Sequence, residues 1–275
     1  MSVVSAQITH PKASPFSEIV QEVGLAKLSV AYSRPAVKGR KIFGELVPYG
    51  RIWRAGANES SKFTTSTELS IMGNKLPEGT YALYAFPAAD RWEIVFHRNI
   101  SHWGDGRKDY DPGEDAFRIT LVPEKMSYLQ ENLLITFDRI DHNSANMQWV
   151  WEYTRITIPI LVPTDRLMLE EIEKRINVNP NAQTYYEAAR YFQEQGTEYV
   201  RALEYLNKAI ALGGDTYYFY RVKSLVEAGL GNFEAAVNSA KKSLILAQQE
   251  DKDEFVRMNK KNIALWTGTL KDKQH

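Results

Sequence analysis

Residues 33–60, SRPAVKGRKIFGELVPYGRIWRAGANES, carry six basic side chains, Arg34, Lys38, Arg40, Lys41, Arg51 and Arg54, against two acids, Glu45 and Glu59. A guanidinium presents a fixed fork of donors that suits planar acceptors. If Arg34, Arg40, Lys41 and Arg54 converge, they form a site for an anionic or sugar-like ligand, with Trp53 as a stacking surface. Asn58 could then read a hydroxyl or amide, and Glu59 could accept a proton. The competing reading is structural. The same arginines pair with Glu45, Glu59 and sheet-edge carbonyls to pin the segment, while Asn58 and Glu59 cap a turn.

A second cluster lies in residues 97–118, HRNISHWGDGRKDYDPGEDAFR. His97 and His102 are close in sequence, but their spacing matches no metal motif such as H-E-x-x-H, so they read as structural or solvated and no metal is assigned. Asp109, Asp111, Glu114 and Asp115 offer oxygen atoms to calcium, yet the run lacks the glycine placement and closing Glu of an EF-hand loop. It reads as a solvated acidic loop. Trp103 and Tyr110, beside Asp115 and Arg118, are better suited to a sugar or peptide platform.

Hydrolytic chemistry needs paired carboxylates or an activated nucleophile. Glu59 with Asp115 or Glu93, beside Trp53 and Trp103, would make the chain a carbohydrate-active hydrolase. No G-x-S-x-G, phosphate-binding glycine loop or dinucleotide fingerprint is present, and no cofactor is implied. A non-enzymatic binding or scaffolding protein is therefore the first reading and the hydrolase the alternative.

These residues must be held by elements the rest of the chain supplies. The chain has 275 residues, a formal net charge of zero and no cysteine. Disulfides and thiolate chemistry are excluded, and there is no bulk attraction for nucleic acid or for a membrane surface. No stretch approaches the roughly 20 apolar residues of a membrane span. Val4-Ser5-Ala6 before Gln7 resembles the end of a secretory signal, which points to a periplasmic or extracellular protein, with a cytoplasmic one as the alternative.

Gly39, Gly44, Gly50 and Gly56, with Pro35 and Pro48, suit neither a helix interior nor a long central strand. Residues 33–60 therefore read as an ordered loop with a short strand near Ile52 and Trp53, anchored by Ile42, Phe43, Leu46, Val47, Ile52 and Trp53. Around it the hydrophobic period is two. Leu28, Val30 and Tyr32 alternate with polar neighbours, as do Trp92, Ile94 and Phe96, then Leu133, Ile135 and Phe137, Met147, Trp149 and Trp151, and Ile156, Ile158 and Ile160. Short strands joined by tight turns predict an antiparallel β-sandwich, with barrel closure left open.

After Pro163 the period becomes helical, with Thr164 as an N-cap for a helix over 165–176 and a break around Pro180. Ala202, Leu206 and Ala209 recur, 34 residues later, as Ala236, Ala240 and Ser243. That period resembles the tetratricopeptide repeat, in which small residues let paired helices approach closely. The tyrosines Tyr185, Tyr186, Tyr191, Tyr217, Tyr218 and Tyr220 read as packed between helices, with a peptide groove as the alternative. The expected fold is α+β in two domains: an arm over 1–15, a β-sandwich over 16–162 and a helical tetratricopeptide-like module over 163–275. The module suits a protein or peptide partner; oligomeric state is left open.

The run YSRPAVKGRKIFGELVPYGRIWRAGANE resembles the signature of a bacterial family known only as domain of unknown function 2911. The similarity continues through LPEGTYALYAFP at residues 76–87 and through Trp103-Gly104, Tyr110, Asp115 and Arg118, covering residues 10–160. The resemblance implies that the loop matters, and it brings no activity.

Overall fold

The computed structural model describes residues 10–104 and 107–272. Val4-Ser5-Ala6, the basis for expecting export, lies outside them. The chain divides into two compact units, Met1–Leu167 and Met168–His275. Among the described residues no helix is long and apolar enough to cross a membrane.

The first unit holds two antiparallel sheets. Strands β1 (Phe16–Val23), β2 (Ala26–Ser33), β3 (Ser61–Thr65), β6 (Gly79–Pro87), β7 (Trp92–His97) and β8 (Asp115–Leu121) form one sheet in the order β1-β2-β3-β6-β7-β8. Strands β4 (Leu69–Ile71), β5 (Asn74–Leu76), β9 (Glu124–Asp138) and β10 (Ser144–Leu161) form the other, in the order β5-β4-β10-β9. The alternating residues behave as their period requires. Leu28, Val30, Ile94, Phe96, Leu133, Ile135, Met147, Trp149 and Ile158 are all buried in one core cluster, drawn from both sheets. In β10 the buried positions switch from odd (Met147, Trp149, Trp151) to even (Ile156, Ile158, Ile160). The switch falls at register shifts around Glu152, whose φ is 55°. A bulge changes which residues face the core without breaking the strand.

Six helices follow: α1 (Thr164–Ile176), α2 (Ala182–Gln195), α3 (Tyr199–Ala211), α4 (Tyr217–Gly229), α5 (Phe233–Gln249) and α6 (Asp253–Asp272). The fold is thus α+β, with antiparallel sheets followed by helices. Thr164 does not cap α1 as expected. Its Oγ1 is buried without a hydrogen-bond partner, and Asn143 Oδ1 instead accepts from Asp165 N at 3.2 Å. A residue distant in sequence has taken over a role usually filled locally. Asn181 caps α2, accepting from Thr184 N at 2.9 Å, and Gly196 ends it at φ 69°. Consecutive helices pack on one another from α2 to α6. The core of this unit uses Ala189, Phe192, Ala202, Leu206, Ala209, Phe219, Ala236 and Ala240. All six of the conspicuous tyrosines are buried or half-buried, so most of their ring surface goes into packing.

Candidate functional site

The segment between β2 and β3 joins the two sheets. At one end Leu133 N donates to Pro35 O (3.0 Å) and Val37 N to Glu131 O (2.8 Å), tying it to β9. At the other, Trp53 and Ala85 exchange two backbone hydrogen bonds of 2.8 Å, tying it to β6. The strand expected near Ile52 and Trp53 is only this single bridge. Ile42, Phe43, Val47 and Trp53 are buried, while Leu46, expected as an anchor, is exposed. The close turn at the far end needs its glycine: a Cβ on Gly56 would lie 2.9 Å from Ser61 Oγ and 3.1 Å from Ser33 O.

Most side chains expected to bind a ligand here are engaged elsewhere. Arg34 Nε donates to Leu133 O at 2.8 Å. Arg40 Nε donates to Val37 O (3.0 Å) and its Nη2 to Ala36 O (2.6 Å). Lys41 pairs with Glu45 at 3.6 Å on the surface. Asn58 Nδ2 donates to Ser33 Oγ (3.0 Å) and Ser14 O (3.3 Å). Glu59 pairs with Lys62. Trp53 is not a stacking surface. It is 7 % exposed and packs against Phe43, Trp92, Trp149 and Trp151, with ring centroids 5.8–6.3 Å apart. Burial of so large an apolar ring outweighs display.

Two adjoining clefts open beside the loop, of about 330 and 290 Å³. Leu46, Val47, Trp53 and Arg54 line both. The first adds Lys38 and Arg40, the second Arg51 and Arg107, and no carboxylate lines either among the described residues. Lys38, Arg51 and Arg107 thus extend the expected set, while Arg34 and Lys41, expected to converge there, line neither cleft.

The second cluster forms on the face of β6, β7 and β8 turned away from the main core. Ala82, Tyr84 and Phe86 share that face with Glu93, Val95 and His97 and, on β8, with Arg118 and Asp115. Described residues from 98–104 and 107–114 cover it, anchored by a bridge between Trp103 and Glu59. Tyr84, Val95, His97 and His102 are all buried as a result. The two histidines are therefore not solvated, and alternation alone had marked His97 as outward-facing.

Asp115 is the hub. It meets His97 Nδ1 at 2.9 Å and accepts from Arg118 Nε at 2.7 Å, and the Tyr110 hydroxyl lies 2.9 Å from both its oxygens. Arg118 also reaches Tyr110 Oη at 2.7 Å and Glu93 at 3.3 Å. Burial, and then the hydrogen bond to Asp115, push the Tyr110 hydroxyl well above the usual tyrosine range, so it stays a donor. Burial likewise raises Tyr84, whose hydroxyl lies 3.2 Å from His102 Nδ1. The carboxylates of the acidic loop go separate ways: Asp111 accepts from Gly113 N in a short 3-10 turn, and Asp115, far from solvated, is spent on Arg118, Tyr110 and His97. Of the expected platform residues, Tyr110 is packed inward and Trp103 stands 70 % exposed. Tyr84 joins this cluster without any signal in the local sequence, whereas His97 and His102, which match no metal motif, and Glu114, which fits no calcium loop, are brought together by the fold.

Antiparallel sheets, an ordered basic loop and a helical continuation define an α+β class without a recognisable reaction motif. The chain belongs to the family described as "Protein of unknown function (DUF2911)", whose model matches residues 14–160, more than half of its 275 residues. No curated protein and no solved structure matches it.

Proposed function

We propose that this is a non-enzymatic binding protein whose first domain, a β-sandwich, takes an anionic, sugar-sized molecule. The observation that carries the reading is the convergence of five cationic side chains, Lys38, Arg40, Arg51, Arg54 and Arg107, on two adjoining clefts. Their volumes lie near the lower end of the roughly 300–1,000 Å³ of small-molecule sites. Apolar walls from Leu46, Val47 and the edges of Trp53 and Trp151 would lower the local dielectric and strengthen each charge on a bound anion. Against hydrolysis stands the pairing of every carboxylate considered for it: Glu59 with Lys62, and Asp115 and Glu93 with Arg118. A carboxylate held by a cation is a poor general acid.

The helices are read as a short tetratricopeptide-like module for a protein or peptide partner. Ala202 and Ala236, 34 residues apart, are both fully buried, as close helix pairing requires. The test of the cleft is calorimetric titration with glucuronate and glucose 6-phosphate beside neutral glucose. The acidic sugars should bind and glucose should not, and Arg54→Met should remove binding in protein that circular dichroism shows to be folded. Failure of both acidic sugars to bind, or binding that survives Arg54→Met unchanged, overturns this reading.

A further inference from the structure

We propose that His97, His102 and Glu114 bind a divalent transition-metal ion of the zinc type on the outer face of the six-stranded sheet. Each residue offers one ligand atom, and the three atoms lie within 4.8 Å of one another. His97 is fully buried, yet its Nε2 makes no hydrogen bond, and Glu114 Oε2 lies 3.5 Å from it. A buried polar nitrogen left unpaired is costly, and native folds rarely keep one without a role. In a tetrahedral zinc site, with bonds near 2.0–2.1 Å, neighbouring ligand atoms stand about 3.3 Å apart. The His97–Glu114 pair is already at that spacing. The third closes by rotation of Glu114, which is 40 % exposed, and of His102 on its loop.

Both imidazoles are oriented as metal ligands are. His97 Nδ1–H donates to Asp115 Oδ1 at 2.9 Å, which leaves Nε2 to bind the ion. His102 Nδ1 lies 3.2 Å from the Tyr84 hydroxyl, and a proton on Nδ1 would leave its Nε2 to the ion in the same way. Asp115 is in turn fixed by Arg118 and Tyr110, and Glu114 by Asn99 Nδ2 at 3.1 Å. Such outer partners set the tautomer and direction of ligating histidines. Two imidazoles and one carboxylate suit zinc, iron or cobalt, whereas calcium and magnesium want an all-oxygen shell. Three protein ligands leave a coordination position to water or a small ligand. The site shares no lining residue with the basic clefts and does not depend on the function proposed for them.

The competing explanation is a protonated His97 bridging Asp115 and Glu114 with no ion. The experiment uses untagged full-length protein stripped with a chelator, then titrated with Zn²⁺, Co²⁺, Ca²⁺ and Mg²⁺. One Zn²⁺ should bind per chain and raise the melting temperature, and Co²⁺ should give the intense visible bands of a four- or five-coordinate site. His102→Ala and Glu114→Gln should each weaken Zn²⁺ binding by about tenfold or more, and Asp115→Asn by about 10–100-fold. The first two lie on the covering segment and its short turn, and circular dichroism of the stripped variants checks that they fold. No uptake of Zn²⁺ or Co²⁺ by the stripped wild type overturns the proposal. So does a weak, octahedral Co²⁺ spectrum, or binding undiminished in both variants. The Co²⁺ spectrum decides on wild-type protein alone should a variant fail to fold.

Discussion

Arg34 and Arg54 belong to one basic run, but the fold gives them different work. Arg34 Nε is bonded to the Leu133 carbonyl at 2.8 Å, across 99 residues of chain, and lines neither cleft. Hydrogen bonds from a charged donor are worth about 1.5–3 kcal/mol, so Arg34→Met should lower the unfolding free energy by about that much in urea titrations. A loss below about 1 kcal/mol would place Arg34 with weak surface contacts and remove the pinning role. Arg54 lines both clefts. The residue types in this loop were readable from the sequence as chemistry for anions or for backbone carbonyls. The choice between them was not, because it depends on partners such as Leu133 and on an aromatic cluster whose members run from Phe43 to Trp151.

Elements were more legible than side-chain destinations, since period two and the helical period are local. The alternation through Leu28–Tyr32 and Leu133–Phe137 marks core faces that the sheets do bury. It misleads at β7, where Val95 and His97 look outward by alternation and are buried beneath residues such as His102 and Tyr110. Loop segments that fold back onto a sheet leave no periodic trace, and that is why the spacing of His97 and His102 shows neither their burial nor their approach to Glu114. In the helices the spacing does carry information. Ala202 in α3 and Ala236 in α5 are fully buried at positions 34 residues apart. Replacing either with Leu inserts volume between packed helices, at a cost of about 1–3 kcal/mol. Thermal melts of Ala202→Leu and Ala236→Leu should therefore both fall below wild type, and unchanged melts would remove the close-packed repeat from the reading.

At the scale of the molecule, the change of period near Pro163 predicts a division that proteolysis can locate. The first unit's core runs from Val23 to Val162, and the core residues of the second begin at Ile172. Each is built from its own stretch of chain, the condition for separate folding. The segment over 177–181, between α1 and α2, belongs to no element. Asn179 there has φ 51°, and Val178 is 72 % exposed. Lys174 and Arg175, in the last turn of α1, offer trypsin its cleavage sites at a helix end, where fraying gives proteases access. Brief trypsin treatment should cut first between about residues 160 and 182, leaving a fragment with Trp53, Trp92, Trp149 and Trp151 in their buried environment and a blue-shifted fluorescence. That fragment should still unfold in one cooperative step, because its aromatic core is complete without the helices. A first cut within residues 20–150, or a fragment whose tryptophans become solvent-exposed on release, would show that the sheets need the helical part in order to fold.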